Sequence, residues 1–268
     1  MRNKDSLTFG YCKACGEYKI LTEEHIPPKS AFNNGTLKVY SADESLKTIT
    51  DNNRDPWDFE GLKFKLKQGG TRFRTLCSSC NSYFGTYYVD YYQKVVKSFA
   101  VFLKTVDLEK ETNIGVAIEK FKPLVFIKEV MAMFASLTNI TKHKEIKTFL
   151  LNKNEVSLKN DKLRVYISVF RGGIKRMSDW CVWVGTKGHF LVSEIVSYPF
   201  IFVLLGNANE HNDENCKHLG TNITNFANFK YEEEVNVEIN LPIHECNINF
   251  PCDYRTKEEI IRCRKNNE

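Results

Sequence analysis

The spacing of apolar and polar residues predicts short elements in the first part of the chain and longer helices and strands in the second. Basic and apolar residues alternate strictly over 63–67 and again over 72–74, which is typical of β-strands. The Gln-Gly-Gly tripeptide between these segments favours a turn, so we predict a β-hairpin that leads into a Cys-x-x-Cys pair. From 81 to 105, aromatic and aliphatic residues recur at helical spacing and predict a helix.

The second part of the chain has the pattern of a separate α+β unit. An apolar stripe over 123–137 predicts a helix, and runs of β-branched and aromatic residues predict strands over 163–170, 180–184, 190–193, 200–205 and 235–241. A chain of 268 residues forms one large domain or two domains of ordinary size. We predict an α+β fold with one domain over 1–98 and a second, itself α+β, over 99–268.

Composition places the chain among globular proteins. Hydrophobic residues make up 42% and charged residues 26%, which excludes the disordered and collagen-like classes. No run approaches the roughly 18 apolar residues of a membrane span, and residues 1–5 lead into no hydrophobic stretch, so we expect a cytoplasmic protein without a membrane partner. The net charge is +5, with basic residues in excess over 1–200 and acidic residues in excess over 201–268. This balance permits nucleic-acid binding without requiring it.

Nine cysteines require a chemical explanation. The odd count, with no predicted secretory signal, argues against a disulfide framework, because the cytosol keeps thiols reduced. Four of them form two Cys-x-x-Cys pairs, Cys12 with Cys15 and Cys77 with Cys80. Tetrahedral Zn²⁺ prefers thiolate ligands, and each pair can supply two, so we predict a structural zinc. Four buried free thiols are the alternative.

Three polar residues beside the cysteine pairs are candidates for catalysis. Glu24 and His25 follow the first pair, and Asn81 directly follows the second, so a shared zinc would bring them into one small site. The imidazole of His25 suits a general base near neutral pH, and Asn81 and Glu24 offer oxygen ligands for a hard divalent cation such as Mg²⁺. Together these groups predict metal-assisted phosphodiester hydrolysis. The alternative for His25 alone is a capping or core histidine.

The order of these motifs resembles that of HNH endonucleases with the ββα-metal fold. The pattern is Cys-x-x-Cys, then (Asp/Glu)-His-(Ile/Val)-x-Pro, then Leu-Cys-x-x-Cys-(His/Asn), and it is carried here by Cys12, Cys15, Glu24, His25, Ile26, Pro28, Leu76, Cys77, Cys80 and Asn81. The similarity is to the variant with four zinc cysteines and Asn in place of the final His. It implies His25 as the base, Asn81 as a ligand of the catalytic cation, and the cysteines as structural zinc ligands. Glu24 stands where the family often has a metal-binding Asp.

The resemblance covers 12–85 and has departures. The family's middle Asn corresponds to Arg72 in this chain, and the insertion between the two half-sites is long. Outside this region the similarity is weaker: Phe200 and the segment 250–256 resemble a C-terminal extension of some bacterial HNH proteins, including candidates for phage defence. That resemblance implies a role in antiviral defence.

A basic segment lies just before the second cysteine pair. Five cations fall within twelve residues, and no acidic residue occurs from 61 to 89; the cations are Lys63, Lys65, Lys67, Arg72 and Arg74. Lysines that alternate along a strand share one face, so we predict a surface that binds nucleic-acid phosphates. The alternative is an edge strand that its lysines protect from aggregation.

The leading hypothesis is therefore an HNH endonuclease that cuts DNA, with RNA left open as a substrate, using structural Zn²⁺ and catalytic Mg²⁺ or another divalent cation. A non-catalytic zinc-ribbon module that binds nucleic acid is the alternative, and Arg72 at the middle Asn position motivates it. A third hypothesis assigns 99–268 to sensing, regulation or homodimerisation, because an HNH site needs far fewer residues than the chain contains.

Overall fold

The structure is a computed structural model, and it describes residues 7–51, 53–185 and 188–265. Helices and strands are mixed along the chain, which confirms the predicted α+β class. Within those ranges no helix combines the length and apolar character that crossing a bilayer demands. Residues 1–5, on which the expectation of a cytoplasmic protein partly rests, lie outside the described residues.

The first part of the chain forms small sheets around two cysteine-bearing turns. Its elements are β1 (Thr8–Tyr11), β2 (Tyr18–His25), β3 (Leu37–Val39), α1 (Ala42–Thr50), β4 (Lys65–Lys67), β5 (Arg72–Cys77), α2 (Ser78–Phe84), a π-helical turn (Gly85–Val89) and α3 (Asp90–Leu103). β1, β2 and β5 form an antiparallel sheet in that order, and β3 pairs with β4. The helix predicted from 81 to 105 is confirmed as α2, the π-helical turn and α3 in succession.

The predicted hairpin over 63–77 is wrong in its pairing. Both strands exist, but β4 pairs with β3 and β5 pairs with β2. The buried Asn33 explains the difference: its amide oxygen accepts from the Thr71 nitrogen at 2.7 Å, and its amide nitrogen donates to the Thr71 carbonyl at 3.0 Å. The Gly70 nitrogen also donates to the Gly35 carbonyl at 2.8 Å. The turn is therefore held by the insertion, and the two strands separate.

The second part is built on a larger, mostly antiparallel sheet. Its main elements are β6 (Asn113–Phe121), α4 (Pro123–Leu137), α5 (Lys144–Leu151), β7 (Arg164–Gly173), β8 (Arg176–Met177), β9 (Cys181–Gly185), β10 (Gly188–Ser197), β11 (Phe200–Leu205), α6 (Asp213–Cys216), β12 (Thr221–Asn222), β13 (Val235–Cys246) and α7 (Lys257–Lys265). In the described residues the sheet has eight strands, with β6-β13-β7-β11-β10-β8 as its path, β12 beside β7 and β9 beside β10. The predicted helix over 123–137 and the five predicted strands are confirmed.

α4 links the two parts of the chain. All 15 of its residues are buried, and Pro123 begins it at a position where a missing backbone N–H does no harm. Its last residue, Leu137, accepts a hydrogen bond from the Lys13 ammonium at 2.7 Å, which ties the helix to the first cysteine turn.

A single apolar cluster includes residues from both sides of residue 98, among them Val96 and Phe126. α3 also runs through residue 98. The division into domains over 1–98 and 99–268 stays a prediction.

Candidate metal centre and catalytic cavity

Two tight turns bring the four cysteines together. Between β1 and β2 the chain turns at Gly16, whose φ of +77° favours glycine, and the Gly16 nitrogen donates to the Cys12 carbonyl at 2.7 Å. The second pair begins with Cys77 at the end of β5 and continues into the first turn of α2. The Lys13 nitrogen donates to the Thr75 carbonyl at 2.8 Å and joins the two turns.

The geometry of the sulfur atoms fits a tetrahedral metal ion. The Sγ atoms of Cys12, Cys15, Cys77 and Cys80 lie within 4.8 Å of one another. With Zn–S bonds of about 2.3 Å, a tetrahedral site separates its sulfur atoms by about 3.8 Å, close to the 4.0 Å between Cys15 and Cys77. All nine cysteines lie in the described ranges, and none is in a disulfide. The cluster can therefore bind a structural zinc ion.

Hydrogen bonds favour the thiolate form that zinc requires at Cys12, whereas the hydrogen bond with Cys12 raises the pKa of the Cys80 thiol and burial raises the pKa of the Cys15 thiol. The Cys77 nitrogen donates to the Cys12 sulfur at 3.3 Å. The hydrogen bond with Cys80 lowers the pKa of the Cys12 thiol, because it stabilises the negative charge, whereas burial opposes this effect. Three of the four side chains are buried and Cys15 is half-buried, so water has little access to the cluster.

A ββα arrangement lies next to the cluster. β2 and β5 run antiparallel, with Leu21 opposite Cys77 and His25 opposite Arg72, and α2 follows β5 directly. An irregularity in this pairing between Thr22 and Glu24 interrupts the regular alternation of the strand. As a result Glu23 is exposed, whereas Glu24 is buried.

His25 is oriented by a backbone carbonyl. Its Nε2 lies 3.0 Å from the Gly69 oxygen. A carbonyl can only accept, so Nε2 carries the proton and Nδ1 keeps a lone pair. Burial lowers the pKa of His25 below its usual 6.5, although the Gly69 carbonyl opposes the shift. The ring is therefore mainly neutral at pH 7 and can accept a proton through Nδ1.

Glu24 and Asn81 provide oxygen atoms near His25. The Thr75 hydroxyl donates to Oε1 of Glu24, whereas Oε2 has no hydrogen-bond partner among the described residues. Burial raises the pKa of the Glu24 carboxyl to about 7, against the hydrogen bonds that lower it. The Asn81 amide nitrogen donates to the Thr22 hydroxyl at 3.1 Å and to the Glu23 carbonyl at 3.2 Å, so its amide oxygen is the atom that can ligate a cation.

The three predicted catalytic residues line one cavity of about 230 Å³. Glu24, His25 and Asn81 form part of its wall, and α4 forms another part through Glu129, Ala132, Met133 and Ser136. Glu129 is 4% exposed, and burial raises its pKa well above the usual range of a carboxyl group. The sequence reasoning missed Glu129. The available signal was a charged residue inside the apolar stripe of 123–137.

The five predicted phosphate-binding cations do not form one free face. Lys63 and Lys65 are exposed, but the Lys67 ammonium donates to the Arg72 carbonyl at 2.8 Å. The guanidinium groups of Arg72 and Arg74 pair with Glu23 at 2.9 and 3.3 Å. Because β4 pairs with β3, its lysines do not continue the face of β5. A role of these residues in nucleic-acid binding stays a prediction.

Comparison with known proteins gives no match: no family model, curated protein or solved structure is similar to this chain. The chain's own geometry supports a four-cysteine cluster that can bind zinc, with a ββα region beside it.

Proposed function

We propose that the protein is a zinc-stabilised, HNH-type endonuclease that hydrolyses phosphodiester bonds in DNA with the help of a divalent cation. The observation that carries the proposal is that His25, Glu24 and Asn81 line one cavity next to the cysteine cluster. Each has the chemistry that its role requires: a neutral imidazole with a free lone pair on Nδ1, an unpaired carboxyl oxygen, and an amide fixed by its nitrogen.

In the proposed reaction, Nδ1 of His25 takes a proton from water as the water oxygen attacks phosphorus. The bond between phosphorus and the leaving oxygen then breaks, its electron pair goes to that oxygen, and a proton from solvent neutralises it. The amide oxygen of Asn81 and the carboxylate of Glu24 would hold the cation, which when bound stabilises charge on the phosphate and the leaving oxygen. Arg72 stands at the position of the family's middle Asn. The proposal does not depend on that Asn, because the Gly69 carbonyl orients the His25 ring.

The test is plasmid nicking with Mg²⁺ or Mn²⁺ by the wild type and by His25→Ala. Loss of a general base lowers rates by about 10²- to 10⁴-fold, so we expect nicking to fall by that factor while zinc content stays the same. His143→Ala is the matched control, because the His143 side chain is 54% exposed and lies outside the cavity. Equal nicking by His25→Ala and the wild type would refute the proposal.

A non-catalytic zinc module that binds nucleic acid is the second candidate. It is favoured by an exposed aromatic face on β1 and β2, where Phe9, Tyr11 and Tyr18 are 56%, 73% and 62% exposed. Exposed aromatic rings can stack on the bases of single strands. Salt-dependent binding of a single-stranded oligonucleotide, with no cleavage under any divalent cation, would favour this module over the nuclease.

An antiviral role follows from the proposal only if cleavage protects cells. We expect cells that express the wild type to reduce phage plaque numbers, and cells that express His25→Ala to lose that protection. Equal protection by both proteins would show that defence does not depend on cleavage.

Homodimerisation and regulation through 99–268 also stay predictions. Sedimentation of the full chain tests homodimerisation.

A further inference from the structure

α4 carries two adjacent charged residues in an otherwise apolar helix, and their surroundings differ. Lys128 has hydrogen-bond partners: its ammonium donates to the carbonyls of Phe149 and Asn152, and it lies 3.9 Å from the centre of the Phe149 ring. For Glu129, by contrast, Oε2 is buried and finds no hydrogen-bond partner in the described part of the chain. A buried carboxyl oxygen without a partner destabilises a fold, so its presence calls for a ligand.

Glu129 faces the same cavity as Glu24 and Asn81. On α4, residues 129, 132, 133 and 136 line the cavity, a spacing that places them on one helix face. Asn81 and Gly85, from α2 and the π-helical turn, line it as well. Glu24 also has a buried Oε2 with no partner among the residues that the structure describes. Glu24 and Glu129, which are 7% and 4% exposed, thus line one cavity, and each has a buried carboxyl oxygen with no hydrogen-bond partner among the described residues.

We propose that Glu129 belongs to the cation site of this cavity, so that Glu24, Glu129 and the amide oxygen of Asn81 together hold a divalent cation, directly or through its bound water. The inference rests on the proposed function, because it concerns the cation of the same reaction. It adds a ligand from α4, far along the chain from the motifs that predicted the site.

The chemistry of the cavity suits such a cation. Mg²⁺ and Mn²⁺ prefer oxygen ligands, and Mg²⁺ usually keeps several waters beside one or two carboxylates. At about 30 Å³ for each water, a cavity of about 230 Å³ has room for a hydrated ion. Among the described residues the neighbouring Lys128 forms no ion pair with Glu129, and its ammonium donates to the carbonyls of Phe149 and Asn152 instead.

The experiment measures Mn²⁺ binding by the full-length, zinc-loaded protein, using the electron paramagnetic resonance signal of free Mn²⁺. The variants are Glu129→Gln, Glu24→Gln and, as a matched control, Glu119→Gln, whose side chain is exposed on β6. We expect the wild type and the control to bind one Mn²⁺ equally well, and both cavity variants to bind at least tenfold more weakly.

If Glu24→Gln weakens binding but Glu129→Gln does not, the inference is overturned while the proposed cation site stands. If the wild type binds no Mn²⁺, the inference is overturned together with the cation role. Nicking by His25→Ala is measured separately and decides the proposed nuclease function on its own.

Glu129→Met separates a ligand from a structural residue. An apolar side chain of similar length removes the unpaired carboxyl, so we expect a higher melting temperature without added Mn²⁺, together with weaker Mn²⁺ binding. If Glu129 had only a packing role, the melting temperature would fall and the Mn²⁺ affinity would stay the same. A lower melting temperature, or unchanged Mn²⁺ affinity, would overturn the assignment of Glu129 as a ligand.

Discussion

Removing zinc by a single substitution is the sharpest test of the cysteine cluster. Cys15→Ser is the best variant, because Cys15 is half-buried whereas the other three ligands are buried in the core. Serine at this position leaves the surrounding packing nearly unchanged but takes away one thiolate. Its effect on stability therefore reports the loss of the metal crosslink.

The size of the effect follows from the length of chain that the zinc closes. Cys15 and Cys77 are 62 positions apart. Treating the metal as a crosslink of that span, the loss of chain entropy in the unfolded state is worth about 4 kcal/mol at 25 °C. Domains are commonly stable by only about 5–15 kcal/mol, so the variant should lose a large share of its free energy of unfolding.

The assay combines elemental analysis with urea unfolding, each with and without a strong chelator. We expect one zinc per wild-type chain, none in Cys15→Ser, and a difference in unfolding free energy of about 4 kcal/mol that the chelator abolishes. Cys263→Ser, at an exposed thiol on α7, should match the wild type. Zinc loss without destabilisation would refute the crosslink argument, as would a wild type that holds no zinc.

Three further predictions concern other parts of the molecule. Arg176→Leu leaves Glu194 buried without its guanidinium partner, so it should cost about 3–5 kcal/mol by urea unfolding, and adding Glu194→Leu should recover part of the loss. With saturating Mn²⁺, the nicking rate should rise with pH through a midpoint below 6.5 and level off above that midpoint, because burial lowers the pKa of His25; a midpoint above 6.5 would contradict this. Replacing the exposed Lys63 and Lys65 with Gln should reduce the salt dependence of DNA binding, and an unchanged slope would exclude them from phosphate contact.

Local patterns predicted the elements of the fold, but not which strands pair. The apolar stripe over 123–137 matches α4 because helical spacing is a property of one segment. Alternation likewise located the strand Lys65–Lys67, yet its partner depended on hydrogen bonds from Asn33 to Thr71, which join positions distant in sequence. No periodicity contains that information.

The candidate site shows the same limit. The spacing of the cysteines predicted their cluster, because zinc ligands come in recognisable pairs. Glu129 was out of reach, since a lone carboxyl in a buried helix does not reveal which cavity it faces. Likewise, charge alone predicted that Arg72 and Arg74 bind phosphates. Their ion pairs with Glu23 could be seen only in the folded structure.

The position of α4 determines which fragments of this protein can be prepared and studied. A fragment that ends at residue 98 would lose the α4 wall of its cavity and would uncover Tyr88, whose hydroxyl donates to the Leu150 carbonyl, and Tyr92, whose ring stacks on Phe126. Such a fragment would tend to aggregate before it could be assayed. Grafting the motif region onto another protein would require transplanting this helix with it.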